Sequence, residues 1–152
     1  MKKKFFIFIF FLSFLFFQNF ANAYSSDPKQ FISEIVEEAK KILVASNTKE
    51  IKEKKLSEMA LKVADIKGIG FYTLGSFRKQ LSEEELKEYE ELFEKYFLKS
   101  FRSRLSDYSD PKIEVVDAEV LNPKYTIVKS VLLATDKKPE VKIDWRVYTK
   151  NP

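Results

Sequence analysis

The sequence predicts an α+β domain: about four N-terminal helices packed on a C-terminal antiparallel β-meander. Three observations predict it. Apolar residues recur at helical spacing, between recognisable caps, as far as about Tyr108. Asp110-Pro111 then stops the helical half. Three segments rich in β-branched residues follow, joined by short turns, and short connections favour antiparallel neighbours.

The first 23 residues read as a cleavable leader. Lys2, Lys3 and Lys4 precede an apolar run from Phe5 to Phe17, broken only by Ser13, and Ala21-Asn22-Ala23 supplies a small-residue cleavage site. The run is too short for a spanning helix, which needs about 20 apolar residues. The domain is therefore expected over residues 24–152, outside the cytoplasm.

Asp27-Pro28 is a helix start, with aspartate as cap and proline in the first turn. Phe31, Ile35, Ala39 and Ile42, flanked by Ile32, Val36 and Leu43, give the first apolar stripe. Ser46-Asn47-Thr48 breaks that helix and Thr48 caps a second, marked by Ile51, Leu56, Met59, Ala60 and Val63. The charged run Lys52 to Lys55 reads as its solvated face. Asp65 caps a short third helix that ends near Gly75. Gly68, Gly70 and Gly75 are the only glycines; with no Gly-Lys-Ser/Thr and no preceding strand they form no phosphate loop and read as turn and close-packing positions. Ser82 and Glu85 make a capping box, with Leu81 and Leu86 placed as its hydrophobic staple. The long helix that follows carries the stripe Leu86, Tyr89, Phe93, Tyr96, Phe97, Phe101, Leu105 and Tyr108.

Strands are expected over Ile113 to Leu121, Tyr125 to Thr135 and Val141 to Thr149. The third alternates cleanly, with Val141, Ile143, Trp145 and Val147 on one face and Lys142, Asp144, Arg146 and Tyr148 on the other.

Composition narrows the chemistry. The net charge of +4 includes three leader lysines, so it does not argue for nucleic acid. Nine of the 15 phenylalanines also lie in the leader. With no cysteine there is no disulfide, and with no histidine the commonest general base and metal ligand is missing. No metal site, cofactor or catalytic residue is expected. For hydrolysis by paired carboxylates, Asp65 and Asp144 are the acids to check.

The segment from Ala64-Asp65-Ile66 to Leu74-Gly75-Ser76-Phe77-Arg78 resembles the aspartate, leucine-glycine and aromatic-arginine stretch of the MlaC family, the toluene-tolerance auxiliary component of a lipid ABC transport system. Leu81 to Glu85, then Tyr89, Phe93, Tyr96 and Leu98, then Arg102-Ser103-Arg104-Leu105 and Tyr108, are similar to its long helix. Ile113 to Val120, Thr126 to Leu132 and Val141 to Tyr148 sit where its strands occur, so the resemblance runs from Asp27 to Tyr148. Phe77 stands where the family usually has tryptophan, and Phe101 where tyrosine is common. The family continues with another strand, a Gly-Ser segment and a terminal helix, so the C-terminal part is expected to be missing here.

The resemblance implies a periplasmic protein of a two-membrane bacterium. It would carry phospholipid between an outer-membrane lipoprotein/porin complex and an inner-membrane ABC transporter complex, maintaining outer-membrane lipid asymmetry. The acyl chains would lie between helices and sheet. The expected lining is Ile66, Ile69 and Leu74 from the glycine segment, Phe93, Phe97 and Phe101 from the long helix, and Val131, Ile143 and Trp145 from the sheet. Arg78, Lys79, Arg102 and Arg104 are candidates for docking onto acidic partners or lipid phosphates. A non-catalytic module that takes a protein or peptide along the open sheet edge is the alternative.

Overall fold

The computed structural model describes residues 24–106, 108–136 and 138–150, so the expected leader lies outside the described residues. The order is α1 (Pro28–Val44), α2 (Lys49–Val63), α3 (Ile66–Leu74), a 3-10 turn (Gly75–Gln80), α4 (Glu83–Ser106), β1 (Ile113–Asn122), β2 (Tyr125–Leu132) and β3 (Val141–Tyr148). Among the described residues no helix is long and apolar enough to cross a membrane.

Each helix starts where its cap lies. Asp27 accepts from Gln30 N at 2.8 Å, Thr48 from Ile51 N at 3.4 Å and Asp65 from Gly68 N at 2.9 Å. The capping box closes in both directions: Ser82 N donates to Glu85 Oε2 at 2.8 Å, and Glu85 N to Ser82 Oγ at 3.2 Å. Those bonds to its ionised form hold the Glu85 carboxyl below the usual carboxylate range. Gly75, at φ 55°, ends α3 in the left-handed region that glycine enters without strain.

The core lies between α1, α2 and the sheet. Ile32, Ile35, Val36, Ala39 and Leu43 of α1 meet Leu56 and Met59 of α2 and Val128 of β2. The stripe on α1 is therefore rotated from the expected one, with Phe31 and Ile42 only half-buried at its margins. α1 packs against β1 and β2, α2 bridges α1 to α4, and α3 lies along α4.

The charged run on α2 is not simply solvated. Lys52 Nζ donates to Leu43 O at 2.6 Å, satisfying an end carbonyl of α1. Glu53 accepts from Ser106 Oγ at 3.2 Å and lies 3.8 Å from Arg102 Nε, tying α2 to the end of α4. Lys54 and Lys55 do face solvent.

The sheet is an antiparallel meander in the order β1-β2-β3. Strict alternation along β1 from Ile113 and Val115 would turn Asp117 and Glu119 inward. An extra residue at Val116 breaks the register between Val115 and Asp117. Ala118 then pairs with buried Val128 on the core side, while Asp117 and Glu119 face outward. There Lys129 Nζ reaches Glu119 at 3.1 Å and Asp117 at 3.7 Å, and the hydrogen bond to Glu119 raises the Lys129 pKa. β2 stops at Leu132, three residues short of expectation, and Thr135 pairs with Lys138 inside the turn instead. α4 ends at Ser106, just before the expected Tyr108.

Ahead of α1, the Tyr24 hydroxyl donates to Glu38, its ring meets Phe31 edge-on at 5.5 Å, and Lys62 Nζ stands 4.7 Å from its centroid. Desolvation, then the bond to Glu38, push its pKa up to about 12. The neutral phenol is thus favoured in the fold. Stability from this contact is complete below the ordinary phenol pKa near 10 and is lost as pH rises through about 12. Ultraviolet titration should show a step near pH 12 from Tyr24, and Tyr24→Phe should remove that step. Replacing the Ser82 cap by alanine should cost about 1 kcal/mol in urea unfolding. A Cβ on Gly70 would stand 2.9 Å from Phe93 Cδ1, so Gly70→Val should cost about 1–3 kcal/mol in the same measurement.

Candidate functional site

The long helix α4 has an apolar stripe but buries none of its residues fully. Tyr89, Phe93, Phe97 and Phe101 recur every fourth residue and therefore share one face. Their rings form a continuous row, with centroids 5.7 Å apart for Tyr89–Phe93, 6.2 Å for Phe93–Phe97 and 6.0 Å for the stacked pair Phe97–Phe101. All four are half-buried.

Glycine sets one end of this row. The missing side chain at Gly70 lets α3 come close to Phe93, and Gly70 O accepts from the Tyr89 hydroxyl at 3.3 Å. That hydroxyl also lies 2.7 Å from Thr73 Oγ1. The close-packing role expected of Gly70 is met, and the polar tip of Tyr89 is occupied, leaving its ring for apolar contact. At the other end Phe101 and Leu105 pack against the core.

The sheet supplies the second apolar face. In β3, Ile143, Trp145 and Val147 are half-buried while Lys142, Asp144, Arg146 and Tyr148 are exposed, as the alternation predicts, but Val141, expected on the inner face, is 41% exposed at the start of the strand. Trp145 pairs with Val128, and its indole Nε1 donates to buried Ser130 Oγ at 2.8 Å. Trp145, Val147 and Phe101 all pack against the same core. Phe101 of the α4 row and Trp145 and Val147 of β3 thus reach one apolar cluster, and both faces are only partly covered by the described residues.

Not every expected lining residue belongs here. Ile66 is buried, Leu74 is half-buried at the end of α3, and Ile69 is 40% exposed. Val131 is a correction. It pairs with Glu114 and Lys142, whereas Ile143 pairs with Ser130, so Val131 pleats to the outer face. The inner residues of β2 are Thr126, Val128, Ser130 and Leu132. Sequence reasoning missed Ser130, because β2 alone carries apolar residues on both faces. The signal that finds it is pairing with the cleanly alternating β3.

The four basic candidates form no single patch. Arg78 and Lys79 are exposed on the 3-10 turn, with Arg78 5.5 Å from the Phe71 ring centroid. Arg102 and Arg104 sit near the far end of α4, and Arg102 is engaged by Glu53. At 1.5 Å per residue the two groups are separated by roughly 30 Å of helix. The two acids do not meet either. Asp65 is spent on its helix cap, and Asp144 lies on the exposed outer face opposite Lys129.

Two surface clefts, of about 530 and 240 Å³, are lined mainly by charge. The first carries Lys67, Lys87, Glu90, Glu91, Glu94 and Lys95; the second lies between α1 and α2 around Glu38, Ile42 and Lys62. Neither includes a residue of the two apolar faces.

Comparison with known proteins meets this geometry. A phospholipid-binding protein from Ralstonia solanacearum, solved in complex with a phospholipid, has a similar fold at a TM-score of 0.65 and 16% identity, covering 83% of this chain and 72% of that one. No match is found among curated proteins. The family model of the MlaC protein matches residues 29–152. That match spans most of the chain, which therefore belongs to the MlaC family.

Proposed function

We propose that this protein is a phospholipid carrier of the bacterial periplasm, exported by its N-terminal leader. In this reading it moves lipid between an outer-membrane lipoprotein/porin complex and an inner-membrane ABC transporter complex, and so helps keep the outer membrane asymmetric. The observation that carries the proposal is that two incompletely covered apolar faces, on α4 and β3, each reach the same core cluster in a member of the MlaC family. The phospholipid in the structural neighbour supports the same ligand class.

The chemistry suits a carrier. An acyl chain asks for a dry, adaptable lining and few polar groups. In this reading Phe93, Phe97 and Phe101 of α4, Ile143 and Trp145 of β3, and Ile66, Ile69 and Leu74 of α3 line the site. The polar tips of Trp145 and Tyr89 already have partners, so an incoming hydrocarbon strips no hydrogen bond from them. Burying about thirty methylenes at roughly 0.8 kcal/mol each would nominally give about 24 kcal/mol, more than non-covalent binding delivers. A site that covers the tails only partly, and must order them, falls well below that figure and can release its cargo.

Arg78 and Lys79 are proposed to dock the carrier on acidic surfaces of its partners. They are exposed and carry no ion pair among the described residues, whereas Arg102 already serves α2.

Organic extraction of the purified protein followed by mass spectrometry should recover phospholipid. Phe97→Asp or Ile143→Asp should lower the lipid recovered per protein at least tenfold while circular dichroism stays that of the parent, because both positions are half-buried rather than central to the core. Unchanged lipid in a folded variant would sink the proposed site. A parent protein with no lipid would favour peptide binding at a sheet edge. For docking, Arg78→Glu combined with Lys79→Glu should weaken binding to the transporter complex about tenfold in low salt, with a smaller difference in high salt.

A further inference from the structure

Beyond the lipid site, one end of the sheet is built unlike the rest of the surface. At the β1–β2 turn Leu121 is 47% exposed and Val120, on the inner-face row of Thr126 and Val147, is 72% exposed, while on the outer face of the same end the rings of Tyr125 and Tyr148 pair across strands at 5.3 Å between centroids. The cluster is held in place. Asn122 Oδ1 accepts from Lys124 N at 2.9 Å and from Tyr125 N at 3.1 Å, and Thr149 N donates to Lys124 O at 2.9 Å.

Its charge is one-sided. Lys124 and Lys150 flank the tyrosines, and Arg146 stands one outer-face row behind them. All three are exposed, and none has an ion pair among the described residues. Glu119, in the outer-face row of Arg146 across Ile127, is engaged by Lys129 at 3.1 Å. Exposed aliphatic side chains, paired tyrosines and free cations are the composition of a membrane–water interface contact: tyrosine settles at the headgroup level, and lysine and arginine pair with anionic lipid. A peptide partner would have to match both the apolar tip and the three cations around it, while an anionic bilayer meets both at once.

We infer that this tip is a membrane-docking surface, seating the protein reversibly on anionic phospholipid bilayers. It is distinct from the proposed lipid-lining residues and does not depend on them. Sedimentation with vesicles tests it. The exported protein should pellet with mixed phosphatidylcholine–phosphatidylglycerol vesicles, only weakly with phosphatidylcholine alone, and less as salt rises. Lys124→Ala should lower partitioning about fivefold, and Tyr125→Ala with Tyr148→Ala should lower it at least as much, with melting curves confirming that the variants fold. Lipid extracted from these variants should match the parent, which separates this test from that of the carrier site. Failure of the parent to adsorb, or equal adsorption by folded variants, overturns the inference. Variants that adsorb normally but no longer bind a protein complex would overturn it in favour of a protein-docking tip.

Discussion

Leu43, Leu56 and Val128 are wholly removed from water, and they come from α1, α2 and β2. Their mutual burial joins the helical half to the sheet. Each such side chain contributes about 1.5–3 kcal/mol relative to exposure, and the polar links at the margins depend on the alignment they impose. Lys52 can reach the end of α1, and Glu53 the end of α4, only because α2 is seated on that core.

Two helices then play different parts. α1 is a packing helix, with five fully buried residues against the sheet and α2. α4 is longer and more aromatic yet buries none fully. Its rings are braced at one end by the close approach of α3 at Gly70 and at the other by the core at Phe101, while the middle of the row keeps partial exposure. A helix held at its ends and open along its apolar face fits the hydrocarbon-binding surface proposed for it. It is also a costly arrangement in the absence of anything apolar to cover it.

The sheet shows how one inserted residue allocates charge and apolarity. Without the bulge at Val116, the carboxylates of Asp117 and Glu119 would face the core, and Ala118 would face water. With it, both acids meet Lys129 outside, and the inner face stays apolar apart from Thr126 and Ser130, whose hydroxyls are small. Ser130 in turn satisfies the indole of Trp145, so the large aromatic on β3 can face the interior without an unpaired donor.

Caps, stops and strand alternation were local, and so were legible by sequence alone: Asp27, Thr48, Asp65 and the Ser82–Glu85 box set the helix starts, Gly75 ended α3, and β3 declared its faces. The ordered resemblance to the MlaC family was legible for the same reason, since it rests on the succession of such signals. What only the tertiary structure decided were questions of pairing. The face of Val131 depended on register with β3, because β2 is apolar on both sides; the parity of β1 depended on a bulge that no single residue announces; and the roles of Lys52 and Glu53 depended on which helix ends lay beside α2. Local signals act through neighbours within a turn or a strand, whereas these outcomes are fixed by partners distant in the chain, which only packing brings within reach.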